Sequence, residues 1–280
     1  MPIAAATIEA GPLLLSVAAM AVFFCVAMAA AWLAQRRTGK SGWADVAWTF
    51  GLGAAGAFLA LAPLGDAPHP FRQGLVAALA VAWALRLGVH ILKRTLSGGE
   101  DPRYRQFALE WGDAFARRLF WFLQLQAVCG LFLALTVLAA AHDPVPHLRW
   151  SDALGLAVLV IAIVGEGVAD AQLVRFRADP GGEGRVCDTG LWGLSRHPNY
   201  FFQWLGWIAY PVIALDLSGA YPWGWLALTG PVFMYWLLVH VSGIPPLEAH
   251  MLRSRGDAYR AYQARVNAFF PGPPSKETAP

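Results

Sequence analysis

Ionisable side chains are scarce in this chain, and several fall inside apolar stretches, where a charge is costly and is kept when it is paired or does chemistry. In the stretch near 152–174, Glu166 and Asp170 stand four residues apart and so share one helical face, with Arg177 about two turns beyond Asp170. Near 73–92, Arg86, His90 and Arg94 repeat at the same spacing, and Asp45 opens the preceding apolar run. Asp45, Arg86, His90 and Glu166 are the candidates for acid and electrostatic catalysis. A carboxyl kept neutral by its surroundings donates a hydrogen bond at neutral pH, and His90 is the next donor. The competing account is that these charges pair with one another and hold a helical bundle together.

A second group lies in ADAQLVRFRADPGGEGRVCDTGLWGLSRHPNY, where acids deep in an apolar run give way to Arg175, Arg177, Arg185 and Arg196. Guanidinium groups in such a cluster offer bidentate donors to phosphate, and Gly181, Gly182 and Gly184 allow close backbone approach. A phosphate-bearing cofactor fits this pattern. Cytoplasmic retention of positive charge and binding of anionic lipid headgroups account for the same arginines. No GxGxxG follows a strand and no Walker loop is present, so a nucleotide site here is not of a soluble type. Cys25, Cys129 and Cys187 are single, with no CxxC pair and no His at metal spacing. They read as packing residues, and no metal is expected.

The elements that must position these groups are transmembrane helices. With 57% hydrophobic and 14% charged residues, the composition lies outside the soluble range. Seven segments approach the roughly 20 apolar residues needed to cross a bilayer. They lie near 12–34, 43–62, 73–92, 119–141, 152–174, 199–217 and 222–242. Trp43, Trp150 and Trp223 sit beside span ends, as in aromatic belts. Of the 21 Lys and Arg, only Arg72, Arg86 and Arg149 fall outside the segments that follow the first, third, fifth and seventh spans. The positive-inside rule then places the N-terminus outside and the C-terminus in the cytoplasm. The absence of a basic n-region and of a cleavage site reads as a retained first helix. The expected fold is an all-α, multi-pass membrane bundle, with residues 1–270 one domain and the Pro-rich 271–280 a disordered tail.

The runs SGWADVAWTFG, RLGVHILKRTLSGGEDPRYRQF, ADAQLVRFRADP, GRVCDTG, GLWGLSRHPNYF and VSGIPPLEAHMLRSRGDAYRAYQARVNAFFP cover most of the chain. Together they resemble an uncharacterised bacterial membrane family grouped with the steroid 5-alpha-reductases. An RHPxY-like element alone is also found in isoprenylcysteine carboxyl methyltransferases and sterol C14-reductases. The resemblance implies a bacterial inner-membrane enzyme that holds NADPH among its C-terminal helices and reduces a conjugated C=C bond in a steroid-like or other lipid enone. Matched motif by motif, it implies that Asp170, Arg177, Arg185, Arg196, His197, Asn199 and Tyr200 bind the cofactor, with Glu248, Tyr259 and Tyr262 in the segment that closes the cavity. Two positions depart from the pattern: Gln203 stands where the family often has Glu, and Ile91 stands where the steroid enzymes have a substrate-gripping Tyr. The expected partners are a lipid-like substrate and membrane lipids, with no nucleic acid and no obligate protein partner. Two rivals remain: a methyltransferase using S-adenosylmethionine, and a non-catalytic lipid-binding membrane protein.

Overall fold

The long apolar runs become long helices because no water is available in hydrocarbon to satisfy the backbone, so its hydrogen bonds close within each segment. A computed structural model describes residues 8–65, 70–98, 102–179, 184–219 and 221–275. Among them there is no strand. The described residues form ten α-helices in succession: α1 (Ala10–Thr38), α2 (Trp43–Leu61), α3 (Pro70–Leu96), α4 (Pro102–Trp111), α5 (Phe115–Ala141), α6 (Trp150–Ala178), α7 (Pro198–Ala214), α8 (Thr229–Trp236), α9 (Ile244–Arg255) and α10 (Asp257–Arg265).

Among the described residues six helical stretches are long and apolar enough to cross a membrane: Ala10–Thr38, Trp43–Leu61, Pro70–Leu96, Arg103–Ala141, Trp150–Ala178 and Pro222–Arg255. They fit a multi-pass integral membrane protein. The sequence led us to expect seven spans. The difference lies at α7, whose 17 residues rise only about 26 Å at 1.5 Å each, short of the roughly 30 Å hydrocarbon core.

The described residues fall into two compact units, one running to Leu156 and resuming over Ile208–Gly230, the other comprising Ala157–Trp207 and Pro231 onward. In the first unit α2 packs against α1, α3 and α5. Small residues permit this: a Cβ on Gly53 would meet the Ala84 Cβ at 2.2 Å, and one on Gly88 would meet the Phe50 ring at 2.6 Å. Close approach of this kind replaces hydrophobic exclusion as the packing force in lipid. Indole donors add ties, Trp32 Nε1 to the Ala116 carbonyl at 2.8 Å and Trp48 Nε1 to the Gln126 carbonyl at 3.1 Å.

In the second unit the helical run leaving α8 passes through a π turn, Leu237–Val241, and ends at Gly243. A Cβ on Gly243 would stand 2.4 Å from the Leu238 carbonyl oxygen, so glycine is required there. Pro245 and Pro246 have no N–H to continue the ladder and instead open α9, the first-turn position proline favours. This break sets the start of α9 and so the position of Glu248. Beyond α10 the chain stays attached to the unit: the Gly272 amide donates to the Leu194 carbonyl at 2.9 Å and the Ser275 amide to that of Arg265 at 2.8 Å. The remainder of the expected tail, 276–280, lies outside the described residues.

Candidate functional site

The second unit gathers most of the candidate cofactor residues around the turn between Gly190 and α7. Gly190–Gly193 forms a 3-10 turn held to α6 by two bonds. The Trp192 indole donates to the Ala169 carbonyl at 2.9 Å, and the Gln172 side-chain oxygen accepts from the Leu191 amide at 3.0 Å. Gly190 has φ +62°, and a Cβ there would press within 2.8 Å of the Gln172 amide group, so both conformation and space select glycine. Ser195 follows, its hydroxyl accepting from the His197 amide at 3.1 Å and donating to the Phe269 carbonyl at 2.8 Å. Pro198 then opens α7.

Glu248 ties this turn to α9 and α10. One carboxylate oxygen accepts from Arg196 Nε at 2.7 Å and His197 Nε2 at 3.1 Å, and the other accepts from Gln263 Nε2 at 2.8 Å. Arg196 Nη1 also donates to the carbonyls of Gln263 and Val266, at 3.2 and 2.5 Å. Tyr262 donates to the Trp192 carbonyl at 2.5 Å, and Tyr259 shares the Glu248 and Arg196 cluster. Both tyrosines are buried, and burial foremost pushes their hydroxyls up, so they stay protonated. Arg196, Glu248, Tyr259 and Tyr262 thus form a frame whose polar atoms face one another.

His197 differs from these. It is 2% exposed, and its Nε2 faces a carboxylate that can only accept, so Nε2 carries the proton. Nδ1 is then a bare lone pair, buried and without a hydrogen-bond partner among the described residues. Burial, outweighing the pull of Glu248, holds the imidazole below its ordinary 6.5 and keeps it neutral at pH 7. The ring stacks on Tyr200, centroids 5.5 Å apart and planes 11° apart. Next to it Asn199 accepts from the Tyr200 amide at 3.0 Å and reaches Asp170 Oδ1 with its Nδ2 at a long 3.5 Å. Asp170 and, one turn earlier, Glu166 are both buried on α6.

At the end of α6 the basic side chains are exposed. Arg185 pairs with Asp179 at 3.2 Å and lies over the Phe176 ring, while Arg177 is exposed in the last turn. Exposed pairs of this kind contribute little and exchange readily. Of the three glycines expected to admit phosphate, Gly184 is described, with φ +79°, and Gly181 and Gly182 lie outside the described residues. Among the described residues no three His, Cys, Asp or Glu side chains are grouped to hold a metal.

The four expected catalytic residues are divided between the units. Asp45, Arg86 and His90 belong to the first and Glu166 to the second. Asp45 accepts from Arg103 at 2.6 Å and from the Tyr104 hydroxyl at 3.2 Å, with Arg94 at 3.7 Å. On α3 it is therefore Arg94 that reaches Asp45; Arg86 lies eight residues away, about 12 Å along the axis.

Sequence reasoning missed Ser195, Gln172 and Gln263. The signal for Ser195 was a hydroxyl three residues before a helix-opening proline, the place of a turn residue. Gln172 and Gln263 carried none, because their partners come from distant segments.

No curated protein and no solved structure matches this chain. The model of a family described as proteins of unknown function, DUF1295, matches residues 31–266. A match of that extent takes in every candidate residue named above, and the chain belongs to the DUF1295 family.

Proposed function

We propose that the chain is a membrane-embedded reductase that uses NADPH to reduce a conjugated C=C bond in a lipid-like enone. The observation that carries this reading is the bare, buried Nδ1 of His197 beside the Asn199–Asp170 pair. A buried acceptor with no partner costs about 1–3 kcal/mol, a cost that a donor arriving on a ligand removes. The N–H groups of a nicotinamide carboxamide suit it, and Asn199 offers both a donor and an acceptor alongside.

When bound, the cofactor supplies the hydride. The chain's own residues do the rest. His197, fixed by Glu248 and stacked on Tyr200, presents Nδ1 as an acceptor. Asn199 and Asp170 orient the polar edge of the ring, and Arg177 and Arg185 meet phosphate charge where water begins. Arg196 and Glu248 hold the frame. Charge developing on the substrate carbonyl needs a hydrogen-bond donor, and of the four candidates we assign that role to Glu166, buried one turn before Asp170 in the same unit. An apolar substrate enters from the bilayer while a water-soluble cofactor enters from the cytosol, so both solvents serve one site.

The same reading takes α7 as a seventh span in a bacterial inner membrane, with the N-terminus outside. Reporters fused after residue 275 are expected to be active only as cytoplasmic markers, whereas activity only as periplasmic markers overturns the orientation.

Melting the purified protein in mild detergent with NADPH, NADH or S-adenosylmethionine tests the cofactor. A ligand at 100 times its Kd stabilises by about 2.7 kcal/mol. We expect that shift with NADPH in the native chain, and its loss in Asn199→Ala with the unliganded melting temperature unchanged. A shift with S-adenosylmethionine alone assigns the site to a methyltransferase, which needs no phosphate-binding arginines. No shift with any of the three leaves a lipid-binding protein.

A further inference from the structure

The first unit holds a cleft of about 480 Å³ between α1 and α2, within the roughly 300–1,000 Å³ range of sites that take small molecules. Phe23 and Phe50 flank it, its walls are largely alanine and glycine, and Trp43 also lines it. Such walls alone would indicate only a place where helices could pack. Two further observations point to an occupant.

First, an unpartnered polar atom stands at the α2 start. Trp43 lines the cleft, and its Nε1–H is buried with no hydrogen-bond partner among the described residues. An indole N–H is a donor and calls for an acceptor. Second, α1 is open to the bilayer. Only 11% of its apolar window is buried, and Leu14, Leu15, Val22 and Val26 are each more than 60% exposed. The same helix ends in the exposed Arg36 and Arg37, at the end of the cleft where Trp43 lies.

An apolar slot that faces lipid, with an idle donor on its wall and two cations beyond it, has the chemistry of an anionic lipid: hydrocarbon in the slot, phosphate oxygen at the donor. We propose that the α1–α2 cleft binds one acyl chain of an anionic glycerophospholipid, whose phosphate accepts from Trp43 Nε1 beside Arg36 and Arg37. The site lies wholly within the first unit and does not rest on the reductase reading.

Native mass spectrometry of the protein extracted from vesicles of equimolar phosphatidylglycerol and phosphatidylcholine tests this. We expect one retained phosphatidylglycerol per chain. Trp43→Phe, which keeps an aromatic side chain and removes the donor, should reduce retention about tenfold, the weight of one hydrogen bond to a charged group. Ala47→Phe should abolish it by filling the slot. Both variants must melt within a few degrees of the native chain, and the Arg177→Ala variant, altered in the other unit, should retain lipid normally. Equal retention of the two lipids overturns the anionic assignment. Unchanged retention in a folded Ala47→Phe overturns the site.

Discussion

Replacing Arg72 by alanine is expected to cost about 3–5 kcal/mol of stability, the loss typical when one partner of a buried ion pair is removed. Arg72 is fully buried, and each of its five N–H groups has an acceptor. Nε and Nη2 grip the two oxygens of Asp152 at 3.0 and 3.1 Å. Nη1 donates to the carbonyls of Asp143 and Val145 at 3.1 and 2.7 Å, and Nη2 also donates to that of His147 at 2.7 Å. Asp143 and Asp152 are themselves 1% exposed, and Arg149 pairs with Asp143 while its amide donates to Asp152 at 2.6 Å. Alanine would leave three carbonyls without donors and two buried carboxylates short of positive charge. Lysine, with three donors on a point charge, should recover only part of the loss because it cannot make the bidentate contact. Thermal unfolding in detergent, followed by intrinsic fluorescence, measures the effect. A loss under about 1 kcal/mol would show that the clamp does not stabilise the fold.

That clamp also bears on what could be read in advance. Arg72 and Arg149 stand out in the sequence as basic residues on the sparsely charged side of the bundle. The structure spends both on Asp143 and Asp152, so they neutralise one another locally. The helices themselves were legible because length and apolarity decide them, and α2 ends within one residue of its expected position. α4 was not foreseen, since its ten residues carry too little apolar length to signal a span. The site was half legible. RHPNY marks the turn by its proline and the dense polar residues around it. Spacing on one helix, however, gives no information about partners on another. Asp45, a candidate for catalysis at the start of an apolar run, is held by Arg103 and Tyr104, from a segment nearly 60 residues later. Arg196 looked like a phosphate ligand and proves to be occupied by Glu248 and two carbonyls. Long-range pairing of this kind is decided by tertiary contact, which periodicity does not encode.

Glu248 carries the second large effect. It is the acceptor for Arg196, His197 and Gln263, and so joins the turn before α7 to α9 and α10. Glu248→Ala should cost about 3 kcal/mol, because Arg196 loses its anion and the His197 and Gln263 donors lose their acceptor while still mostly buried. Glu248→Gln, which keeps one acceptor oxygen, should cost roughly half as much. The acid side of the stability profile gives an independent readout. Burial holds folded His197 below 6.5, so above about pH 6.5 the imidazole is neutral in both states and contributes no pH dependence. Below that pH the unfolded chain takes up a proton that the folded chain refuses, and stability falls until the folded value is passed. Glu248 is what opposes burial at this ring, so Glu248→Gln should extend the decline to lower pH, while His197→Asn should make it shallower. Melting temperatures at pH 8, 6.5 and 5 for the native chain and these variants separate the cases. Equal slopes between pH 6.5 and 5 in the native chain and His197→Asn would mean that His197 is not the buried neutral acceptor that the cofactor site requires.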